Sequence, residues 1–251
     1  EKRQEDIDQF PHKFITGYVR KRGVSASFLN SYLSCPFKVF LRYVLGIKKP
    51  DQIKEELTPV DYGLTLHDIL EKYQASDFPD AQEYYKQLKE SFLQAMKKFD
   101  AYIYNPVEKH KIESIASELG KLAENEFRRA EAGWVQQEKE VKYSCTIHDT
   151  YFYGKIDRTD MRDSETALID YKFKRLQGSP GKFKSENPKD VQMPLYAVLY
   201  EAEKGALPDE LLYYDLRDTY STLPAFRHDD LPVFREFLQE ITTVLNSESS
   251  P

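Results

Sequence analysis

The feature that most constrains how this chain can fold is a change of hydrophobic period at Lys139. After it come four short runs, EVKYSCTI, YFYGKID, TALIDYKF and LLYYDLR, in which apolar residues recur every second position, as on strands with one buried face. A helical stretch from about Pro188 to Lys204 separates the last two, and Pro194 inside it predicts a kink. The order of these elements is strand, strand, strand, helix, strand.

Before Lys139 the period is that of helices. Residues 1 to about 24 are mixed and polar and suit a linker. Ser25 is a plausible N-cap for a helix carrying Phe28, Tyr32 and Leu33. Cys35-Pro36 should break it from a second helix with Phe37, Phe40, Leu41, Val44 and Leu45, because proline suits a first turn and not a helix interior. Between residues 79 and 133, Tyr85, Leu88, Phe92, Ala95, Met96 and Phe99 recur at helical spacing, then Ile112, Ile115, Leu119, Leu122 and Phe127, with Asn105-Pro106 between the two sets. This pair predicts a helical insertion with a packing role. LPVFREFLQEITTVL reads as a closing amphipathic helix.

The chemistry gathers between Tyr153 and Lys172, YGKIDRTDMRDSETALIDYK. The polar MRDSE segment can reverse the chain into a hairpin, bringing Asp157 beside Asp170. Asp170 and Lys172 are two apart and share a strand face. Two carboxylates and a lysine meet the needs of phosphodiester hydrolysis, an oxygen-ligated divalent cation and a held water. Gln192 and Tyr196 lie one helical turn apart. Glu138 and Glu140, at the opening of the first strand, should face the same side by alternation. Lys155 and Arg158 flank Asp157 as candidate phosphate contacts, although alternation sets them opposite it.

These residues together resemble the PD-(D/E)XK nuclease superfamily, in its RecB/AddB-type exonuclease branch. The resemblance rests on Gly154 with Asp157, on Asp170-Tyr171-Lys172, on the Ser-x-Ser and Cys-Pro segment from Ser25 to Ile47, on Gly63 with His67 in YGLTLHDILEKY, and on Gln192 with Tyr196. It implies that Asp157 and Asp170 hold Mg2+ or Mn2+ with the main-chain carbonyl of Tyr171, and that His67 adds a nitrogen ligand. It implies that Lys172 holds the attacking water, that Gln192 contacts DNA or Lys172, that Tyr196 packs beside the scissile strand of the DNA, a core aromatic being the other reading of that residue, and that Glu140 is a more distant or water-mediated ligand. Residues 25–251 would then form one nuclease domain of restriction-endonuclease-like α/β fold, a central mixed sheet flanked by helices with the helical insertion at 79–133, since the order strand, strand, strand, helix, strand matches that family's core. Some members of the branch hold an iron–sulfur cluster on four cysteines, but Cys35 and Cys145 are the only cysteines here, so no cluster is expected. Both are read as free, mostly buried thiols.

A net charge of −6 argues against a surface that embraces nucleic acid throughout. Local charge differs: from Tyr171 to Asp190 six basic residues (Lys172, Lys174, Arg175, Lys182, Lys184, Lys189) stand against Glu186 and Asp190. Gly178, Pro180, Gly181 and Pro188 suggest a mobile loop there, with Lys174 and Arg175 as DNA contacts. No stretch reaches the length of a membrane span, and a cytoplasmic location is expected. The chain opens on Glu1 without a methionine, as a piece of a longer polypeptide would. By resemblance, its partners are DNA ends and an upstream helicase-like region or helicase partner. The expected activity is metal-dependent trimming of DNA ends in recombination and repair. A catalytically silent DNA-binding or docking module is the alternative, and RNA in place of DNA is a third reading, since the site reads phosphates and no base-reading element is evident.

Overall fold

In the computed structural model of this chain, residues 2–47, 56–99, 105–176, 180–188 and 190–247 are described, with side chains from residue 12 onward. Five strands form one sheet in chain order: β1 (Val135–Ile147), β2 (Thr150–Arg162), β3 (Glu165–Lys172), β4 (Glu210–Asp215) and β5 (Thr222–Pro224). β3 and β4 are parallel and the other neighbours antiparallel. The parallel step needs a crossover, and α7 (Gln192–Lys204) supplies it. The fold class is the one anticipated, an α/β sheet flanked by helices of the restriction-endonuclease-like type. The short β5 was not anticipated; three residues ending in a proline carry no alternation to read.

One face of the sheet is covered by α1 (Lys2–Arg22), α2 (Ala26–Ser34), α3 (Pro36–Val39), α7 and α8 (Leu231–Asn246) around Phe28, Phe152, Ile156, Leu199 and Phe234. The other is covered by α4 (Pro59–Lys72), α5 (Ala81–Met96) and α6 (Pro106–Glu131) around Leu66, Leu88, Phe92, Leu119, Ile169 and Tyr214. Residues 1–24, read as a linker, contain α1, because Ile15 and Val19 share a face and are buried. Ser25 caps α2, its hydroxyl accepting from the Phe28 N–H at 3.2 Å, and Pro36 opens α3. Cys35, between them in extended conformation, is exposed and not buried; Cys145 is half-buried, and both thiols are free. Pro194 sits in the first turn of α7, where no intrahelical donor is lost, so no kink is required. Among the described residues no helix is long and apolar enough to cross a membrane.

Candidate active site

β2 and β3 meet through Asp163 and Ser164, with Asp163 left-handed at φ 52°, and Arg158 pairs with Ile169. That register brings Asp157 to the end of β3, where the Tyr171 N–H donates to Asp157 Oδ2 at 2.9 Å. The regular alternation of β1 and β2 slips by one residue at this point. Phe152, Gly154 and Ile156 turn to the α7 face, yet Arg158 turns to Glu126 of α6. On β1, Glu140 has φ 57°, an uncommon conformation for a residue with a side chain. As a result Lys139 and Glu140 both reach α4, while Glu138 turns to Lys204 of α7. The expectation that Glu138 and Glu140 share a face is therefore corrected: it assumed an unbroken pleat, which the left-handed backbone of Glu140 breaks, and the register of the β1–β2 ladder also shifts just before, between Gln136 and Glu138.

The slip aims Glu140 and Asp157 at one imidazole. His67 Nε2 lies 2.8 Å from Glu140 Oε1 and 3.2 Å from Asp157 Oδ1, and its ring meets the edge of Tyr171 at 5.6 Å. The hydrogen bond to Asp157 raises the His67 pKa, and it outweighs burial, which acts the other way. α4 can come this close because Gly63 faces Phe173: a Cβ on Gly63 would stand 3.1 Å from Phe173 Cβ.

On the α7 side, Lys172 Nζ lies 2.5 Å from Asp170 Oδ2 and donates to Gln192 Oε1 at 2.7 Å. The Gln192 amide donates to Asp170 Oδ1 at 2.6 Å and to the Tyr196 hydroxyl at 3.0 Å. Tyr196 is thus both a core aromatic and a partner of Gln192. Burial, then the neighbouring Asp157 charge, push the Asp170 carboxyl up to about 7, with Lys172 opposing them. Asp190 anchors this network, accepting from the Gln192 N–H at 3.0 Å, the Tyr213 hydroxyl at 2.8 Å and the Asn30 amide at 3.2 Å. Burial alone would raise the Asp190 carboxyl; these donors outweigh it and hold it below the usual range.

Gly154 marks the tightest approach of α7 to β2. A Cβ there would lie 2.7 Å from Tyr196 Cε1 and 3.0 Å from Leu199 Cδ1. Gly154→Val is expected to displace Tyr196, lower stability by about 1–3 kcal/mol as overpacking does, and loosen Gln192. A denaturant melt of the variant checks this; an unchanged midpoint would contradict it.

Arg158 is not a phosphate contact. It is 4% exposed and bonded through Nε to Asp160 Oδ1 at 2.6 Å and through Nη1 to Glu126 Oε2 at 2.7 Å. The expectation that alternation sets Lys155 opposite Asp157 is corrected: the two are two residues apart and so share a face of β2, where Lys155 is exposed and paired with Glu140. Lys174 and Arg175 are exposed where the chain leaves β3. Residues 177–179 and Lys189 of the basic loop lie outside the described residues. Lys182 and Lys184 flank Phe183, which is buried among Phe226, Phe234 and Phe237, with its N–H on Asp230 Oδ2 at 2.9 Å, so the loop expected to be mobile is anchored there.

Several observations suit a divalent cation. Asp170 Oδ2 and Glu140 Oε1 are buried without a well-formed hydrogen bond, although each has a cationic or imidazole nitrogen nearby. Two crowded carboxylates, one with a raised pKa, are what a bound cation would relieve. The oxygen-rich donor set with one imidazole suits Mg2+ or Mn2+. Among the described residues, His67, Glu71 and Glu140 bring potential ligand atoms within 4.8 Å of one another. This group differs from the expected set of His67, Asp157, Asp170 and Tyr171. The two sets share His67, and Asp157 adjoins both; Asp170 stands apart because Lys172 and Gln192 hold its oxygens. Glu71 was not anticipated, although it lies one helical turn beyond His67 and so shares its face.

A profile of the PD-(D/E)XK nuclease superfamily matches residues 23–248. A subunit of the ATP-dependent helicase/deoxyribonuclease of Clostridium perfringens (strain ATCC 13124) is 25% identical over 230 residues, covering 79% of this chain and 20% of that protein. The protein of the same name from Clostridioides difficile (strain 630) is 27% identical over 113 residues, covering 42% of this chain and 10% of that protein. The chain thus spans a fifth or less of the length of these relatives.

Proposed function

The chain belongs to the PD-(D/E)XK nuclease superfamily, and on that premise we propose that it is a metal-dependent deoxyribonuclease acting as an exonuclease at DNA ends during recombination or repair. The observation that carries this reading is the intact, hydrogen-bonded set: Asp157, Asp170 and Lys172 on adjoining strands, His67 beside them, and Gln192 bridging Asp170 to Lys172. A silent member of the fold would have no need to keep a buried, like-charged carboxylate pair, whose cost is justified by function.

In this reading Asp157, Asp170 and His67 hold Mg2+ or Mn2+ with the Tyr171 carbonyl, and Glu140 and Glu71 stand close enough to contribute directly or through water. The cation would neutralise the phosphate and lower the pKa of a water. Lys172, fixed by Gln192 and Asp170, orients the attacking water and offsets charge developing on the phosphate. Tyr196 fixes Gln192 in turn. Lys174 and Arg175 would meet the DNA backbone next to the site. Residues 25–251 make up one nuclease domain with a helical insertion at 79–133, which the relatives' names suggest works with a helicase, in the same polypeptide or as a partner.

The test is digestion of linear DNA carrying label at either end, beside covalently closed circular DNA, in Mg2+, Mn2+ or EDTA. Loss of label from linear DNA alone, dependent on the cation, is expected. Cleavage of the circle at the same rate would exclude the exonuclease, and cleavage in EDTA would exclude the cation.

A further inference from the structure

The arm of the β1–β2 hairpin beyond the active site has one face packed and one bare. Phe152, Gly154 and Ile156 of β2 point to α7, and alternation turns Tyr151, Tyr153, Lys155 and then Asp157 the other way. Tyr151 and Tyr153 are 48% and 36% exposed, and their rings stack at 5.9 Å and 24°. Across the pair, Lys142 faces Lys155, Ser144 faces Tyr153 and Thr146 faces Tyr151. Lys142 and Lys155 are exposed. At the far end, Val24 pairs with Phe152, and Gly23 packs so closely on Tyr151 that a Cβ would meet its ring at 2.5 Å. The basic last turn of α1, Arg20, Lys21 and Arg22, therefore abuts the tyrosines.

A solvated sheet face ordinarily alternates to small polar or charged groups. Here two stacked aromatics are interleaved with cations in a line that ends at a candidate catalytic carboxylate. The row from Tyr151 to Asp157 is ~20 Å long at strand rise, enough for a few nucleotides. Unpaired bases offer π-faces to such rings and phosphates to the lysines, whereas duplex bases are already stacked.

We propose that Tyr151, Tyr153 and Lys155, with Lys142 beside them and Arg22 at the far end, form a track for single-stranded DNA that leads one strand to Asp157. This rests on the nuclease reading and adds the strand form and the path. Because the track binds by stacking and charge, it reads no sequence.

The test is fluorescence anisotropy of the chain in EDTA with labelled oligothymidylate and with a duplex of the same length, for wild type, Tyr151→Ala/Tyr153→Ala and Tyr151→Phe/Tyr153→Phe. The alanine pair is expected to weaken oligothymidylate binding about tenfold or more, with duplex binding little changed and the phenylalanine pair close to wild type. Unchanged affinity in the alanine pair, an equal loss on duplex, or no wild-type binding of oligothymidylate would overturn the track. Oligoribothymidylate bound as tightly would overturn its restriction to DNA. Since no cation is present, failure of the nuclease reading shows separately, as intact DNA in Mn2+ despite binding.

Discussion

Lys172→Ala is expected to lower single-turnover cleavage of DNA by about 10²- to 10³-fold or more, the range for removing one preorganised charge-stabilising group, without loss of the fold. Lys172 offsets the Asp170 charge, so its removal leaves a buried acid. Asp170, already raised to about 7 by burial and by Asp157, can take up a proton and need not remain an unpaired charge. Asp170→Asn should be equally inactive for a different reason, since it removes a proposed cation ligand. Calorimetric titration with Mn2+ separates the two. Lys172→Ala should keep its affinity for Mn2+, and Asp170→Asn should lose most of it. Asp170→Asn also relieves a like-charge contact, so its melting temperature in EDTA should match or exceed wild type, as is common where function works against stability. Two inactive variants that bind Mn2+ identically would remove the division of roles.

Arg158→Ala is expected to be the most damaging change away from the candidate site. Arg158 binds Asp160 with two nitrogens, at 2.6 and 2.8 Å, and Glu126 with a third, and Arg129 also holds Asp160 at 2.6 Å. Burial by itself would raise the Asp160 carboxyl, and the two arginines outweigh it and hold it below the usual range. Removing Arg158 strands Glu126 and weakens Asp160, both of them buried. Breaking such a buried pair costs about 3–5 kcal/mol, a fall of roughly 6–20 °C in melting temperature for a domain of this size. The network also fixes α6 against β2 directly under Tyr171, whose N–H holds Asp157. Activity should therefore fall with stability. In a thermal-melt cycle, Arg158→Met with Glu126→Leu should lose less than the two single changes summed; strict additivity would mean that the pair is not coupled.

The elements that carry strong periodicity were legible without coordinates. Leu88 and Phe92 on one helix, Leu119 and Leu122 on the next, and four of the five strands all follow from apolar spacing. The order Gly154, Asp157, Asp170, Lys172 was enough to bring the acids and the lysine to one place. What escaped was what breaks a period or spans a long separation. The left-handed backbone of Glu140 breaks the pleat of β1, and a glutamate is not a residue whose presence announces such a conformation. Asn30 reaches Asp190 across 160 residues of chain, which no local pattern can foretell. Glu71 differs: its spacing from His67 was on view, but an acid on a helix that also carries Asp68 and Lys72 looks like ordinary solvated charge.

The site draws on helices from both faces of the sheet. His67 and Glu71 come from α4, and Gln192 and Tyr196 from α7, on opposite sides of the strand pair that carries the acids. Gly63 and Gly154 are the two points at which those helices press on the sheet. The spacing of the family motifs thus records two close helix approaches as well as the proposed ligands.

The most direct test of the central claim is the rate at which the wild-type chain releases end label from linear DNA as Mn2+ is titrated from none to saturation, read beside Lys172→Ala under the same conditions. A rate that is absent without the cation, saturates with it and disappears in the variant is expected. Label released equally by both proteins, or released in EDTA, would contradict the assignment of Asp157, Asp170 and Lys172 as a metal-dependent nuclease centre.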